Sequence, residues 1–199
     1  MDGWLVVGLG NPGPTYAATR HNVGFHVADE LAARAAAPFT RPRGWRAEVC
    51  ETRVTAAGMG GVGAEAERVV LLKPHTFMNA SGAAVGKACA YYDIPADHVI
   101  AIHDELDIDV GQLRLKSGGG DNGHNGLKSM RAALGTGGFL RVRFGIGRPP
   151  GRQDPADYVL APIPAALRED YAVEAARAAD AVEALLVEGL AAAQNRFNS

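Results

Sequence analysis

The chain has 199 residues, of which 47% are hydrophobic and 21% charged, and its formal net charge is −2. This length suits one domain with a proper core, and the composition excludes a largely disordered chain. No apolar run approaches the ~18 residues that span a bilayer, and the acidic start enters a strand at once, so we expect no signal peptide and a cytoplasmic location.

Strand and helix patterns alternate along the chain. Apolar or alternating runs predict strands at 4–9, 47–56, 68–72, 99–103, 113–116 and 139–146, with a hairpin tip at 56–66. Helical spacing predicts helices at 23–37, 80–92, 126–134, 164–187 and 190–196, the last two separated at Gly189. The alternation predicts an α/β fold, with a mixed, mostly parallel central sheet flanked by helices and one domain over 1–199.

The charges are segregated along the sequence. Between positions 114 and 152 there are eight basic residues and one acid, Asp121, whereas from 161 onward six acids accompany three arginines. Such segregation can create a local surface for a polyanion on a nearly neutral protein. A solvated basic surface without a partner is the alternative.

The side chains that could carry chemistry lie in four short segments, 8–25, 73–79, 103–107 and 118–126. His21 is the candidate base, and Asp104 could hold its tautomer and stabilise its protonated form. Neutral amides accompany them at Asn11, Asn79 and Asn125, and the glycines beside Asn11 would let a substrate approach. This set suits hydrolysis of a neutral ester or amide by an activated water, with no metal, cofactor or covalent nucleophile.

Three other chemistries match parts of the sequence less well. Gly8 to Gly13 fits the GxGxxG dinucleotide pattern, but Pro12 and Pro14 enforce an extended loop where that pattern needs a helix. The acids at 104–109 invite a metal, yet they lack a spaced histidine pair. No GxSxG elbow supports a serine nucleophile.

Two further segments are candidate ligand contacts. The glycine-rich stretch 117–126 leads into a helix that Asn125 could cap and whose N-terminus could receive an anion, although such loops often only turn the chain. Phe77 offers an aromatic face for a base or a peptide, with a core phenylalanine as the alternative. The Pro- and Arg-rich segment 147–157 could form a mobile lid.

Four motifs in order, VGLGNPGPTYAATRHNVGF, LLKPHTFMN followed by SG, HDELD, and GGG followed by GHNGLKS, resemble the bacterial-type peptidyl-tRNA hydrolase family. The similarity continues through RVRFGIGRP to the C-terminal helices. It implies cleavage of the ester between a peptide and the 3′ ribose of tRNA. It also implies a single, usually monomeric and metal-free α/β domain that acts on peptidyl-tRNA, without a membrane or an obligate protein partner.

The resemblance also implies roles for individual residues. His21 would be the general base, Asp104 would support it, and Asn11 would help to distinguish peptidyl-tRNA from free aminoacyl-tRNA. The substrate site would include Tyr16, Phe77, Asn79 and Asn125, and a tRNA clamp would include Lys116, Arg143 and Arg114. Asp121 and Asn122 depart from the family pattern, and an acid there would weaken tRNA affinity.

Two other functions stay open on the sequence. An esterase for small molecules would need no basic surface. A non-catalytic RNA-binding module would bind tRNA without His21 and would show no turnover.

Overall fold

A seven-stranded mixed sheet forms the centre of the computed structural model, which describes residues 3–198. Its strands are β1 (Trp4–Gly8), β2 (Ala47–Thr55), β3 (Gly58–Met59), β4 (Glu67–Pro74), β5 (Val99–Glu105), β6 (Leu113–Ser117) and β7 (Leu140–Gly145). They lie in the order β3-β2-β4-β1-β5-β7-β6. The inner strands β4, β1, β5 and β7 run parallel, while β3, β2 and β6 pair antiparallel at the two sides. The predicted α/β fold with a mixed central sheet is confirmed.

The helices are α1 (Val23–Ala35), α2 (Ser81–Tyr92), α3 (Asn125–Leu134), α4 (Pro155–Leu160), α5 (Arg168–Glu188) and α6 (Leu190–Phe197). The predicted breaks lie where expected, because Gly135 ends α3 in the left-handed conformation and Gly189 separates α5 from α6. The sequence missed α4, whose six residues are too few to show a helical period. Within the described residues, no helix is both long enough and apolar enough to cross a membrane.

Helices cover both faces of the sheet, so the strands are buried on both sides. In β1, Val6 packs into the cluster that includes α1 and α5, whereas Leu5 and Val7 pack into the cluster that includes α2 and α3. This two-sided burial explains the continuous apolar runs that predicted the inner strands.

Parallel strands end at one edge of the sheet, and this edge positions the candidate residues. Since β1 pairs with β5, the loop after β1 lies next to the end of β5. The glycines here have a different role from the one expected. A Cβ on Gly8 would overlap the backbone of Gly24, and a Cβ on Gly10 would crowd Phe25, so these two glycines allow α1 to pack closely. Of the three glycines near Asn11, only Gly13 has open space beside it.

Candidate active site

Asp104 lies at the centre of the site, and two histidines hold its carboxylate. Its Oδ2 is 2.8 Å from Nδ1 of His21, and its Oδ1 is 2.8 Å from Nε2 of His124. The carboxylate is almost fully buried, with 3% of the side chain exposed. The sequence predicted that Asp104 would follow a strand, but it is the sixth residue of β5, so a strand backbone fixes its position.

His21 presents one ring nitrogen to the carboxylate and leaves the other available. It lies in a short 3-10 turn, Arg20–Asn22, directly before α1. Nδ1 donates to Asp104, which leaves the lone pair on Nε2. Within residues 3–198, Nε2 has no hydrogen-bond partner. Burial lowers the pKa of His21, but the charge and hydrogen bond of Asp104 outweigh burial and raise it above the ordinary value.

His124 engages both ring nitrogens. It is the N-cap of α3, and its Nδ1 accepts from the backbone N–H groups of Gly126 (3.1 Å) and Leu127 (3.4 Å). The proton must therefore be on Nε2, which donates to Asp104. The prediction that Asn125 caps this helix is wrong, because Asn125 is already its first helical residue.

The two histidines keep Asp104 ionised. Burial alone would raise the pKa of Asp104, but the charges and hydrogen bonds of His21 and His124 hold it well below its usual range. His103 lies behind them, and burial lowers its pKa to about 3, so it stays neutral. Its Nδ1 donates to the Asp104 carbonyl at 2.9 Å, as expected for a residue of the strand and not of the chemistry.

His21, Asp104 and His124 are also the group best placed to hold a metal ion, since their ligand atoms lie within 4.8 Å of one another. Their hydrogen bonds argue against that use. A metal would need a bare nitrogen where Nε2 of His124 carries its proton, and Nδ1 could not take that proton without breaking the cap of α3.

Asn11 links the loop after β1 to the chain segment that follows β4. Its side-chain Oδ1 accepts from the N–H of Met78 at 2.8 Å, and its backbone exchanges two 2.9 Å hydrogen bonds with the Asn22 side chain. The Asn11 side chain is thus fixed, with Oδ1 occupied. Its Nδ2 makes no hydrogen bond within residues 3–198 and is the donor that remains for a ligand.

The other predicted substrate residues stand on elements that border this centre. Phe77 is 61% exposed, so it is not a core residue, and its ring lies edge-on to that of Tyr16, with centroids 6.2 Å apart. Asn79 is exposed in the turn before α2, and Asn125 is exposed at the start of α3. The start of α3 packs on the segment that follows β4, since a Cβ on Gly126 would crowd Met78.

A cleft of about 360 Å³ opens beside His21, Asp104 and His124. His21, His124 and Asn125 line it, together with Asn122 and Gly123 of the glycine loop. Pro155, Ala156, Val159 and Leu160 of α4 also line it. The segment expected as a lid therefore leads into an ordered wall of the cleft; its motion stays a prediction.

The three clamp candidates share one face of the sheet. Arg114 pairs with Arg143 across β6 and β7, and Lys116 pairs with Arg141, so these side chains project to the side of α2 and α3. Burial and the neighbouring arginines lower the pKa of Lys116. The structure thus brings the clamp candidates together on β7 and β6, the last two strands of the sheet.

Carboxylates neutralise much of the predicted basic stretch. Glu105 pairs with Arg143 at 2.9 Å, Asp107 with Arg148 at 2.7 Å, and Asp121 with Arg131 at 3.4 Å. Arg141 is fully buried and donates to the carbonyls of Gly119, Gly120 and Gly137, so it holds the glycine loop and not a ligand.

Three contributors to this site were not predicted from the sequence. His124 caps α3 although histidine is not among the residues usually preferred at an N-cap. Glu105 follows Asp104 and so projects to the opposite face of β5, where it meets Arg143. Asn122 adopts φ 47° and donates to both Glu105 (2.7 Å) and Asp107 (2.6 Å), a contact across two loops that no local pattern shows.

Comparison with known proteins gives a consistent result. The family model for peptidyl-tRNA hydrolase matches residues 5–199. The peptidyl-tRNA hydrolase of Cutibacterium acnes is 58% identical over 98% of both chains, and that of Streptomyces coelicolor is 55% identical over 98% of this chain and 95% of its own. A crystal structure of the enzyme from Acinetobacter baumannii superimposes with a TM-score of 0.85 at 33% identity, covering 98% of this chain and 94% of that one.

These relatives match nearly the whole length of the chain, and the Acinetobacter baumannii structure shares its fold. The chain belongs to the peptidyl-tRNA hydrolase family.

Proposed function

We propose that this protein hydrolyses the ester bond between a peptide, or another N-blocked aminoacyl group, and the 3′ ribose of tRNA. Membership of the family supports the reaction, and the 2.8 Å contact between His21 and Asp104 carries the assignment of the base. In this proposal the enzyme works in the cytoplasm on tRNA from abandoned translation and needs no metal, cofactor or obligate protein partner.

The reaction begins when Nε2 of His21 accepts a proton from water. The resulting hydroxide attacks the ester carbonyl, and the imidazolium that forms is stabilised by Asp104. Asp104 remains ionised because two histidines donate to it, so it also keeps the proton of neutral His21 on Nδ1. Collapse of the tetrahedral intermediate breaks the bond to the ribose oxygen, which takes the proton and leaves as tRNA.

The amide side chains serve the carbonyl and the peptide. Asn11 offers Nδ2 from a fixed position, because its Oδ1 is held by Met78. A fixed donor of this kind stabilises a developing oxyanion or recognises the blocked amine, and removing an oxyanion donor typically costs ~10²-fold or more in rate. Asn79, Asn125, Tyr16 and Phe77 would line the rest of the substrate path.

The tRNA clamp consists of Lys116, Arg143 and Arg114. Phosphate contacts supply affinity without reading sequence, which suits an enzyme that must accept every tRNA. Glu105 holds the Arg143 guanidinium in place before the substrate binds, so a phosphate would meet an oriented side chain.

Release of tRNA from N-acetyl-aminoacyl-tRNA tests the proposal directly. The wild type should cleave this ester and spare unblocked aminoacyl-tRNA, and His21→Ala should lose turnover while it binds tRNA normally. Turnover by His21→Ala at the wild-type rate would disprove the assigned base. Cleavage of small esters alone would favour an esterase, and tRNA binding without any turnover would favour an RNA-binding module.

A further inference from the structure

A second basic surface lies on the other side of the catalytic centre, in the loop that precedes β2. Arg41, Arg43 and Arg46 fall within six residues, and Lys87 of α2 joins them by donating to the Gly44 carbonyl at 3.0 Å. We call these four residues the β2 surface. All four are exposed.

Carboxylates compensate little of the positive charge of the β2 surface. Within residues 3–198, no carboxylate lies within ion-pair distance of Arg43 or Arg46, and Arg41 reaches Glu48 only at 3.5 Å with 70% of its side chain exposed. Glu48 is shared with Lys73 and His75. Uncompensated positive charge on a protein of net charge −2 is the feature expected of a polyanion contact.

The loop that carries these arginines is packed against α2 and is locally strained. Arg46 has φ 51°, in the left-handed region that side chains other than glycine rarely adopt, and its carbonyl is held by the His75 N–H at 2.7 Å. Trp45 packs edge-on against Tyr91, with centroids 5.1 Å apart, and lies 5.7 Å from Nζ of Lys87. Strain that the surroundings maintain is a recurrent property of functional segments.

The β2 surface and the clamp lie on the same face of the sheet, near its two opposite edges. Trp45 packs on the cluster that includes α2 and α3, and the clamp side chains project to the same face of the sheet. The β2 and β6 strands are five positions apart, or about 24 Å at ~4.8 Å per strand. The Arg46 carbonyl accepts a hydrogen bond from the N–H of His75, two residues before Phe77, so the β2 surface adjoins the segment that carries Phe77.

We propose that the β2 surface is a second contact for the phosphate backbone of tRNA. This inference rests on the proposed function, because it takes tRNA as the substrate. A folded RNA presents phosphates over more than the width of the sheet, so one tRNA can contact the β2 surface and the clamp together. Such a contact adds affinity without selecting sequence, and it uses arginine, which binds phosphate through a planar pair of donors.

The experiment measures binding of deacylated tRNA as a function of salt concentration. Arg43→Ala with Arg46→Ala should weaken binding about tenfold and make the slope of log K against log salt shallower by about one for each phosphate that the variant no longer neutralises. Arg53→Ala, at an exposed arginine near the other end of β2, is the matched control and should bind as the wild type does. Equal binding by the double variant and this control would overturn the proposal.

Arg46→Gly separates binding from structure, because glycine accepts the left-handed conformation. It should keep or raise the melting temperature, weaken tRNA binding, and raise KM for N-acetyl-aminoacyl-tRNA with kcat unchanged. Normal binding and KM in this variant would overturn the role of Arg46.

Two further comparisons show which part of the substrate contacts the β2 surface and whether the clamp acts without it. A defect that appears only with acidic peptidyl groups, and not with deacylated tRNA, would assign the β2 surface to the peptide and overturn the RNA contact. If Lys116→Ala with Arg143→Ala weakens binding while the β2 variants do not, this inference fails and the clamp stands. If neither pair matters, the tRNA surface of the proposed function fails as well.

Discussion

The loop after β1 and the loop before α3 each deliver one histidine to Asp104, but the two histidines differ in what their second nitrogen does. In His21, Nε2 has no hydrogen-bond partner within the described residues, and the residue lines the cleft. In His124, Nδ1 caps α3. Contact with a buried carboxylate therefore does not by itself identify a base. Because His21 keeps its second nitrogen free and His124 does not, we propose proton transfer for His21 and positioning for His124.

The largest effect is expected from replacing Asp104, whose carboxylate contacts both histidines. Asp104→Asn should lower kcat by about 10² to 10⁴-fold, because an amide cannot accept from both rings and leaves the tautomer and charge of His21 unsupported. Steady-state rates on N-acetyl-aminoacyl-tRNA measure this. Asp97→Asn, at an exposed site before β5, is the control. A variant at Asp104 as active as that control would show that the two histidines do not depend on the carboxylate.

Replacing His124 should have a smaller effect, which separates into loss of the helix cap and loss of the contact with Asp104. His124→Ala should destabilise the fold by about 1 kcal/mol because the helix cap is removed, and it should lower kcat less than Asp104→Asn does. His124→Asn should restore the cap but not the contact with Asp104. Thermal unfolding and kcat, measured on both variants, test the division. If His124→Asn recovered full activity, its contact with Asp104 would be unnecessary.

The clamp should affect binding more than chemistry. Lys116→Ala with Arg143→Ala should weaken tRNA binding and make its salt slope shallower, with kcat close to wild type, since neither residue lines the cleft. Binding titrations at several salt concentrations provide the measurement. An unchanged slope would place the RNA elsewhere.

The sequence predicted the fold well because its signals are local. The apolar runs of β1 and β5 and the glycine stops after α3 and α5 follow from burial on two faces and from the glycine conformations at helix ends. The predicted strands at 4–9 and 99–103 end just before Asn11 and Asp104, and parallel strands end at one edge of the sheet. Helix α4 was missed because six residues show no period.

The contacts that decide the site depend on tertiary structure. The sequence did not show that His124 and not Asn125 would cap α3, or that it would share Asp104 with His21, because the residues are 20 positions apart. Nor did it show that Glu105 and Asp107 would neutralise Arg143 and Arg148. Charge counts along the chain therefore overestimated the basic surface at 114–152.

The pH dependence of kcat/KM for the wild type and Asp104→Asn tests the central assignment most directly. The base must be unprotonated to act, so activity should rise with pH through the pKa of His21, which Asp104 holds above the ordinary histidine value. Without the carboxylate, burial dominates and the midpoint should move to lower pH, with a lower plateau. The same midpoint in both enzymes would contradict a base at His21 that is supported by Asp104.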